Sequence, residues 1–252
     1  MSITEDICGD PRAVTALMEG DLADPHALLG LHQTELKGSA GLVVRAYNPG
    51  AEAMTVHPAG GEPVKMERVH EDGLHAAFLP GRDFPLTYEL ETTLSGQEPQ
   101  LAADPYSFLP TLGELDQHLA AEGTHYQLYD RLGAHPMVRD GVSGTAFAVW
   151  APNAVRVSVV GSFNGWDGRL HPMRLMGSSG IWELFIPGPD RGDLYKFEIK
   201  TRAGTLRIKT DPLAFAMELR PNSAGVVWGP PTHEWGDDAW MDDILQLSIA
   251  AG

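Results

Sequence analysis

Apolar side chains in this 252-residue chain come in short runs rich in β-branched and aromatic residues, each closed by a turn signal. Between Gly41 and Phe108 the punctuation is Asn48-Pro49-Gly50, Pro58-Ala59-Gly60-Gly61, Glu71-Asp72-Gly73 and Leu79-Pro80-Gly81. Strands that short, interrupted that often, pack as sandwiches rather than as βαβ units. Further candidate strands fall at 145–150, 156–161, 181–186, 194–201, 205–209 and 226–228, with hairpin signals at Gly177-Ser178-Ser179-Gly180 and Arg202-Ala203-Gly204. In Trp182-Glu183-Leu184-Phe185-Ile186 both faces are apolar apart from Glu183, as in a strand that is nearly covered. Trp150 and Trp182, inside apolar strands, are expected in the core.

Helical signals are confined to two places. Asp10-Pro11 offers an N-cap and a first-turn proline ahead of Val14, Leu17 and Met18 on one face, with Gly20 as a stop. Thr111 and Glu114 have capping-box spacing ahead of Leu115 and Leu119, and Gly123 ends the run. Asp24-Pro25 repeats the first signal for a single turn ended by Gly30.

The pattern is also written twice. Gly41-Leu42-Val43-Val44-Arg45-Ala46-Tyr47-Asn48-Pro49 is answered by Gly144-Thr145-Ala146-Phe147-Ala148-Val149-Trp150-Ala151-Pro152, each residue 103 positions later. The match resumes at a spacing of 107, pairing Gly73 with Gly180, Tyr88 with Tyr195, Asp104-Pro105 with Asp211-Pro212 and Phe108 with Phe215. The second copy therefore carries four extra residues, assigned to Gly161-Ser162-Phe163-Asn164-Gly165-Trp166-Asp167-Gly168. The period is far longer than the roughly 20–50 residues of a solenoid unit and describes a duplicated domain. The expected fold is all-β: two tandem immunoglobulin-like sandwiches joined by a short helical linker. The expected boundaries are an N-terminal helix at 1–22, a first sandwich at 23–110, a linker at 111–128, a second sandwich at 129–230 and a tail at 231–252.

Charge and cysteine content narrow the chemistry. With 18 Lys and Arg against 34 Asp and Glu the net charge is −16, and no basic block is long enough to track a phosphate backbone. Nucleic acid and anionic membranes are poor partners for such a surface. One cysteine excludes an intrachain disulfide, and no Cys or His spacing resembles a metal site, so no metal and no cofactor is expected. The first twenty residues lack the pattern of a secretory leader and no run approaches 18 apolar residues, which predicts a cytoplasmic protein.

The inserted loop is where chemistry is expected. Glycines on both sides allow a tight turn that projects Trp166 while Phe163 folds back and Asn164 fixes the turn. An exposed indole finds a matching flat surface on the C–H face of a sugar ring, and covering part of its ~150–250 Å² contributes on the order of 1–3 kcal/mol. The alternative is that the same ring packs on a neighbouring domain. Tyr195 and Phe197 alternate with Lys196, which places Lys196 on the outer face. The first copy offers His57-Pro58-Ala59-Gly60-Gly61 in the loop's place, with no aromatic.

Residues 131–228 resemble the family 48 carbohydrate-binding module of bacterial glycogen branching enzymes. The likeness runs through Val149-Trp150-Ala151-Pro152-Asn153-Ala154, the Gly161–Gly168 loop, Gly180-Ile181-Trp182-Glu183-Leu184, Leu194-Tyr195-Lys196-Phe197-Glu198 and Lys209-Thr210-Asp211-Pro212. Residues from about 20 to 125 resemble the extra N-terminal module of the longer enzymes. The resemblance implies weak α-glucan binding (glycogen, maltooligosaccharides), with Trp166 stacking on a glucose ring, Lys196 and Asn222 bonding to sugar hydroxyls and Asn164 in the same loop. A second stacking tryptophan of related modules falls near Ile208 here. The parent reaction moves an α-1,4-glucan segment onto a 6-hydroxyl, using two carboxylates on a catalytic barrel. No strand-end motif of that barrel occurs in this sequence, so no catalytic residue is assigned and the chain alone is expected to be inactive. The expected role is a non-catalytic part of a branching enzyme that binds glucan and docks on its catalytic barrel; the alternative is a stand-alone protein-interaction module without sugar binding.

Overall fold

A computed structural model describes residues 7–229 and Gly236. The tail expected at 231–252 lies outside the described residues, Gly236 apart. Helix α1 (Pro11–Glu19) starts as its sequence predicts: the Asp10 carboxylate accepts from the Arg12 N–H, Pro11 opens the first turn and Gly20 closes the helix in the left-handed region. Val14 and Leu17 bury its apolar face against Leu28, Leu29 and Leu74.

The first sandwich is made of β1 (Gly30–Leu36), β2 (Ser39–Tyr47), β3 (Ala51–Pro58), β4 (Val64–Lys65), β5 (Glu67–Arg68), β6 (Leu74–Pro80), β7 (Tyr88–Leu94) and β8 (Gln100–Ala103). Its two antiparallel sheets have the orders β1-β2-β6-β5 and β4-β3-β7-β8. Leu42, Val44 and Leu79 from one sheet meet Met54, Val56 and Tyr88 from the other. Helix α2 (Glu114–Glu122) follows, and then the second sandwich. Its strands are β9 (Gly133–Arg139), β10 (Val142–Trp150), β11 (Ala154–Gly161), β12 (Arg174–Leu175), β13 (Ile181–Pro187), β14 (Leu194–Thr201), β15 (Leu206–Lys209), β16 (Ala216–Met217) and β17 (Gly225–Val226). The sheets here are β12-β13-β10-β9 and β11-β14-β17-β16, with β15 added to β14. Phe147, Trp182, Tyr195 and Phe197 dominate the core between them.

Both copies share their registers. The pair Leu42↔Leu79 becomes Thr145↔Ile186, Val56↔Leu90 becomes Val159↔Phe197, and the bulge between Ala51 and Ala53 recurs between Ala154 and Arg156. The Thr55↔Lys65 pair of β3 and β4 survives as a single bridge, Ser158↔Pro172. Residues 162–170 therefore take the place of 59–63, which locates the insertion.

Two expectations are corrected. Trp150 is not in the core: Phe147 and Val149 point inward, and Trp150 sits on the outer face with Ala146 and Ala148, 61% exposed. The linker covers Ala148 through Leu112 and Leu132, while Trp150 lies beyond it and is tied at its edge, Nε1 donating to the Ser179 carbonyl at 3.2 Å. Thr111 does not cap α2 either. Gly113 is the N-cap, its N–H held by the Asp116 carboxylate, while Thr111 donates through both N–H and hydroxyl to the fully buried Glu183. A buried carboxylate is the stronger attractor, since leaving it unpaired costs several kcal/mol.

The sandwiches are joined by more than the linker. The Tyr106 hydroxyl donates to the Pro172 carbonyl at 3.2 Å, Leu175 N–H to the Ala23 carbonyl at 2.8 Å, and Arg139 to the Pro110 carbonyl at 3.0 Å. Among the described residues no helix is long and apolar enough to cross a membrane, and no group of three His, Cys, Asp or Glu could hold a metal ion.

Candidate functional site

The loop at 162–170 leaves β11 through a single 3-10 turn, Ser162–Asn164, and is built from the inside out. Phe163 folds back toward the core, its ring 5.9 Å from that of Phe147. Asn164 is buried and accepts from Gly161 N–H at 2.8 Å while its amide donates to the Val159 carbonyl at 2.9 Å and to His171 Nδ1 at 2.8 Å. An imidazole that accepts there must be neutral on that nitrogen, in keeping with burial, which pushes the His171 pKa down to about 4. Asn164 thus shapes the loop from below. Gly165 and Trp166 then both take positive φ, 61° and 63°, and Trp166 N–H closes the turn on the Gly161 carbonyl at 3.1 Å. A bulky residue in the left-handed region is strained, and the tightly bonded turn beneath holds it there. The result is an indole that is 41% exposed.

Beyond it the loop lies down on the outer face of β11 and β14. Gly168 rests on the Glu198 carboxylate so closely that a Cβ would stand 2.2 Å from its oxygen and would push that side chain aside. Glu198 pairs with Arg156, whose side chain is nearly buried and whose Nε finds no hydrogen-bond partner among the described residues. Arg169 forks onto Asp167, with Nη2 to Oδ2 at 2.6 Å, and that bond holds the Asp167 carboxyl below its usual range. Lys200 reaches the end of α1, pairing with Asp21 at 2.5 Å and donating to the Glu19 carbonyl at 2.7 Å. A cation at a helix C-terminus is favourably placed. These groups surround a cleft of about 610 Å³, walled by Leu17 and Met18 of α1 on one side and by Trp166 on the other, with Tyr47 entering from the first sandwich.

The other expected residues lie along the same sheet face. Lys196 projects outward from β14, as its alternation with the buried Tyr195 and Phe197 predicts, and donates to Ser223 Oγ at 3.0 Å. Asn222 is exposed beside it, its amide on Glu218 at 3.2 Å. Neither lines the cleft of Trp166. Lys196, Glu198 and Lys200 form one outward row at strand spacing, so Lys196 stands roughly 7 Å along the strand from Glu198. Sequence reasoning missed Arg156, Glu198, Arg169, Lys200 and Tyr47. The outward row was readable from alternation, whereas Tyr47 depends on how two domains meet.

Comparison with known proteins divides the chain at the same place. Residues 10–106 match the family described as alpha-1,4-glucan branching enzyme GlgB, N-terminal domain, and residues 131–214 match carbohydrate-binding module 48 (isoamylase N-terminal domain). The chain is 47% identical over 242 residues to the 1,4-alpha-glucan branching enzyme GlgB of Rhodospirillum rubrum, covering 93% of this chain and 33% of that protein. It is 50% identical over 233 residues to the enzyme of the same name from Cereibacter sphaeroides, covering 91% and 31%. For that of Myxococcus xanthus the figures are 48% over 224 residues, 88% and 30%. The chain thus spans about a third of the length of the curated relatives it matches.

Proposed function

Since the chain belongs to the N-terminal region of the 1,4-alpha-glucan branching enzymes, with a carbohydrate-binding module 48 as its second domain, we propose that it is a non-catalytic, glucan-binding portion of such an enzyme. The parent reaction transfers an α-1,4-glucan segment to a 6-hydroxyl, and this portion holds the polymer while a catalytic barrel elsewhere does the chemistry. The observation that supports the reading best is Trp166: a half-exposed indole fixed on a left-handed turn above a cleft floored by the Arg156–Glu198 pair. Stacking on the ring and fixed hydrogen-bonding groups at its edge are what a pyranose needs. Lys196 and Asn222 extend the polar row on the same face, and Asn164 serves by holding the loop. One aromatic and a few hydrogen bonds correspond to an affinity of roughly high-micromolar to millimolar. The setting is cytoplasmic.

Docking on the barrel is assigned to a different surface. Phe215, Met217, Leu219 and Trp228 are exposed large apolar side chains of the second sandwich, Leu219 at 90%, and such side chains mark an interaction surface rather than a sugar site. The same residues favour the second reading, a protein-interaction module without sugar binding. Native electrophoresis with glycogen in the gel separates the two. The wild-type chain is retarded and Trp166→Ala restores free mobility; equal retardation of both proteins refutes the Trp166 site, and free mobility of both leaves the interaction module.

A further inference from the structure

The cleft beneath Trp166 does not end at the second sandwich. A second cleft of about 600 Å³ opens where the sheets of the first sandwich part, and the loop at 162–171 forms its opposite wall. Tyr47 and Gly165 line both. The two clefts therefore meet at the junction of the domains, and each falls in the roughly 300–1,000 Å³ range of ligand sites. The lining of the second combines apolar side chains, Met54, Leu90 and Leu94 among them, with hydrogen-bonding groups: Asn48, Thr92, Gln97 and Gln100 from the first sandwich and Ser162 and the uncharged His171 from the second, while its carboxylate, Asp104, is buried and already bonded to Tyr88. Amides and hydroxyls suit a polyhydroxylated neutral chain, and none of the lining residues is a lysine or arginine that would favour a phosphate. The groove is preformed, because Tyr106 bonds across the junction to the Pro172 carbonyl and the Leu175–Ala23 backbone bond ties the domains a second time. Tyr47 packs its ring against the α1 cluster, and its hydroxyl lies among the charges of Arg169, Asp167 and Arg156.

We infer that the first sandwich, which has no aromatic loop of its own, completes the glucan site of the second: a linear α-1,4-glucan lies across both clefts, stacked on Trp166, passing Tyr47 and bonding to Gln97 and Gln100. This rests on the glucan reading of Trp166 and adds a length requirement to it. A short oligosaccharide fills only the Trp166 end, whereas a longer one gains contacts from the other domain without a second association cost.

The test is titration calorimetry of the whole chain with maltotriose and maltoheptaose. Wild type binds the heptaose about tenfold more tightly than the triose. The exposed pair Gln97→Ala/Gln100→Ala reduces that ratio to about two or less while leaving triose affinity unchanged, and Tyr47→Leu, which keeps apolar bulk against α1, weakens both sugars but the heptaose more, so that the ratio falls as well. Equal melting temperatures show that the variants are folded. A wild-type ratio near one, or a ratio that neither variant moves, confines the site to the second sandwich and overturns the inference even if Trp166→Ala abolishes binding. Retained binding of both sugars by Trp166→Ala instead removes the glucan reading, and the inference falls with it.

Discussion

Tyr88 donates to the buried Asp104 at 2.5 Å in the first sandwich, and Tyr195 donates to the buried Asp211 at 2.5 Å in the second. His32 bonds to the Leu29 carbonyl as His135 bonds to that of Leu132. Yet at the edge of one sheet the first sandwich pairs Glu67 with Ala76, and the second pairs Arg174 with the fully buried Glu183. The loop above differs too, 59–63 lying open where 162–170 lies down over charged groups. The comparison separates two jobs. Strand register is held by features present in both copies, whereas a buried ion pair at one edge and the loop proposed to bind glucan are added where the two copies diverge and the sandwich tolerates it.

The largest test of that separation is Glu183→Ala, which gives the second sandwich the residue the first has at the same place. The buried Arg174 loses its counter-charge, and Thr111 its acceptor, so the variant is expected to lose about 3–5 kcal/mol by denaturant titration. Arg174→Met/Glu183→Ala recovers most of the loss, because the cost lies in the unpaired charge. A single-variant loss below about 1 kcal/mol would mean that the pair is well hydrated, contrary to its burial.

Acid should tell the copies apart next. His171 occupies the position of Val64 and is largely shielded from solvent, with its pKa lowered from 6.5 to about 4. Folding disfavours the charged form, so the unfolded chain binds the extra proton. The neutral imidazole's contribution is complete above pH 6.5 and is lost as pH falls toward 4. The span corresponds to about 3 kcal/mol. Asp104, raised to about 6 by burial, works in the opposite sense, since protonation there favours the folded state as pH falls through 6. His171→Val should therefore flatten the decline between pH 6.5 and 4 relative to wild type. An unchanged slope in pH-jump denaturation would show that His171 does not set it.

Tyr88→Phe and Tyr195→Phe test what the copies share. Each strands a buried aspartate without its hydroxyl donor, at about 1–3 kcal/mol, and the two losses should agree within about 0.5 kcal/mol. A clear inequality would mean that the repeated contact is structural in one copy only.

The duplication was legible because it concerns periodicity, glycines and the Tyr and Asp positions, all of which local sequence records. Trp166 and the turn-fixing role of Asn164 were legible for the same reason: a turn is a local object. Trp150 was misread because an apolar run does not reveal which outer-face positions a linker will cover, and α2 stops short of it. Thr111 was misread because a capping box competes with a carboxylate 72 residues away, a distance in sequence that no local pattern measures. The cleft itself was invisible for that reason too. Its walls come from α1, from the end of β2 and from the loop after β11, brought together only when the two sandwiches dock.

The smallest effect gives the sharpest comparison. Ile208 on β15 is 56% exposed, pairs with Glu198 and stands two residues from Leu206, which lines the Trp166 cleft. Leu101 on β8 is its counterpart, 53% exposed and paired with Glu91. On outward-facing strand positions a tryptophan is expected to shift stability by no more than about 0.5 kcal/mol in either copy. Ile208→Trp adds a second flat surface roughly 7 Å along the strand from one that already meets the cleft. It should raise maltoheptaose affinity by about fivefold, the equivalent of one modest stacking contact of ~1 kcal/mol. Leu101→Trp places the same ring on the same strand of the same fold, beside a loop with no aromatic to share the load, and should leave affinity unchanged. Equal gains in both would reduce the effect to a sticky indole on any sheet. A gain confined to Ile208→Trp ties sugar binding to the four-residue insertion that distinguishes the copies, because that insertion is what puts a first platform within reach of the second.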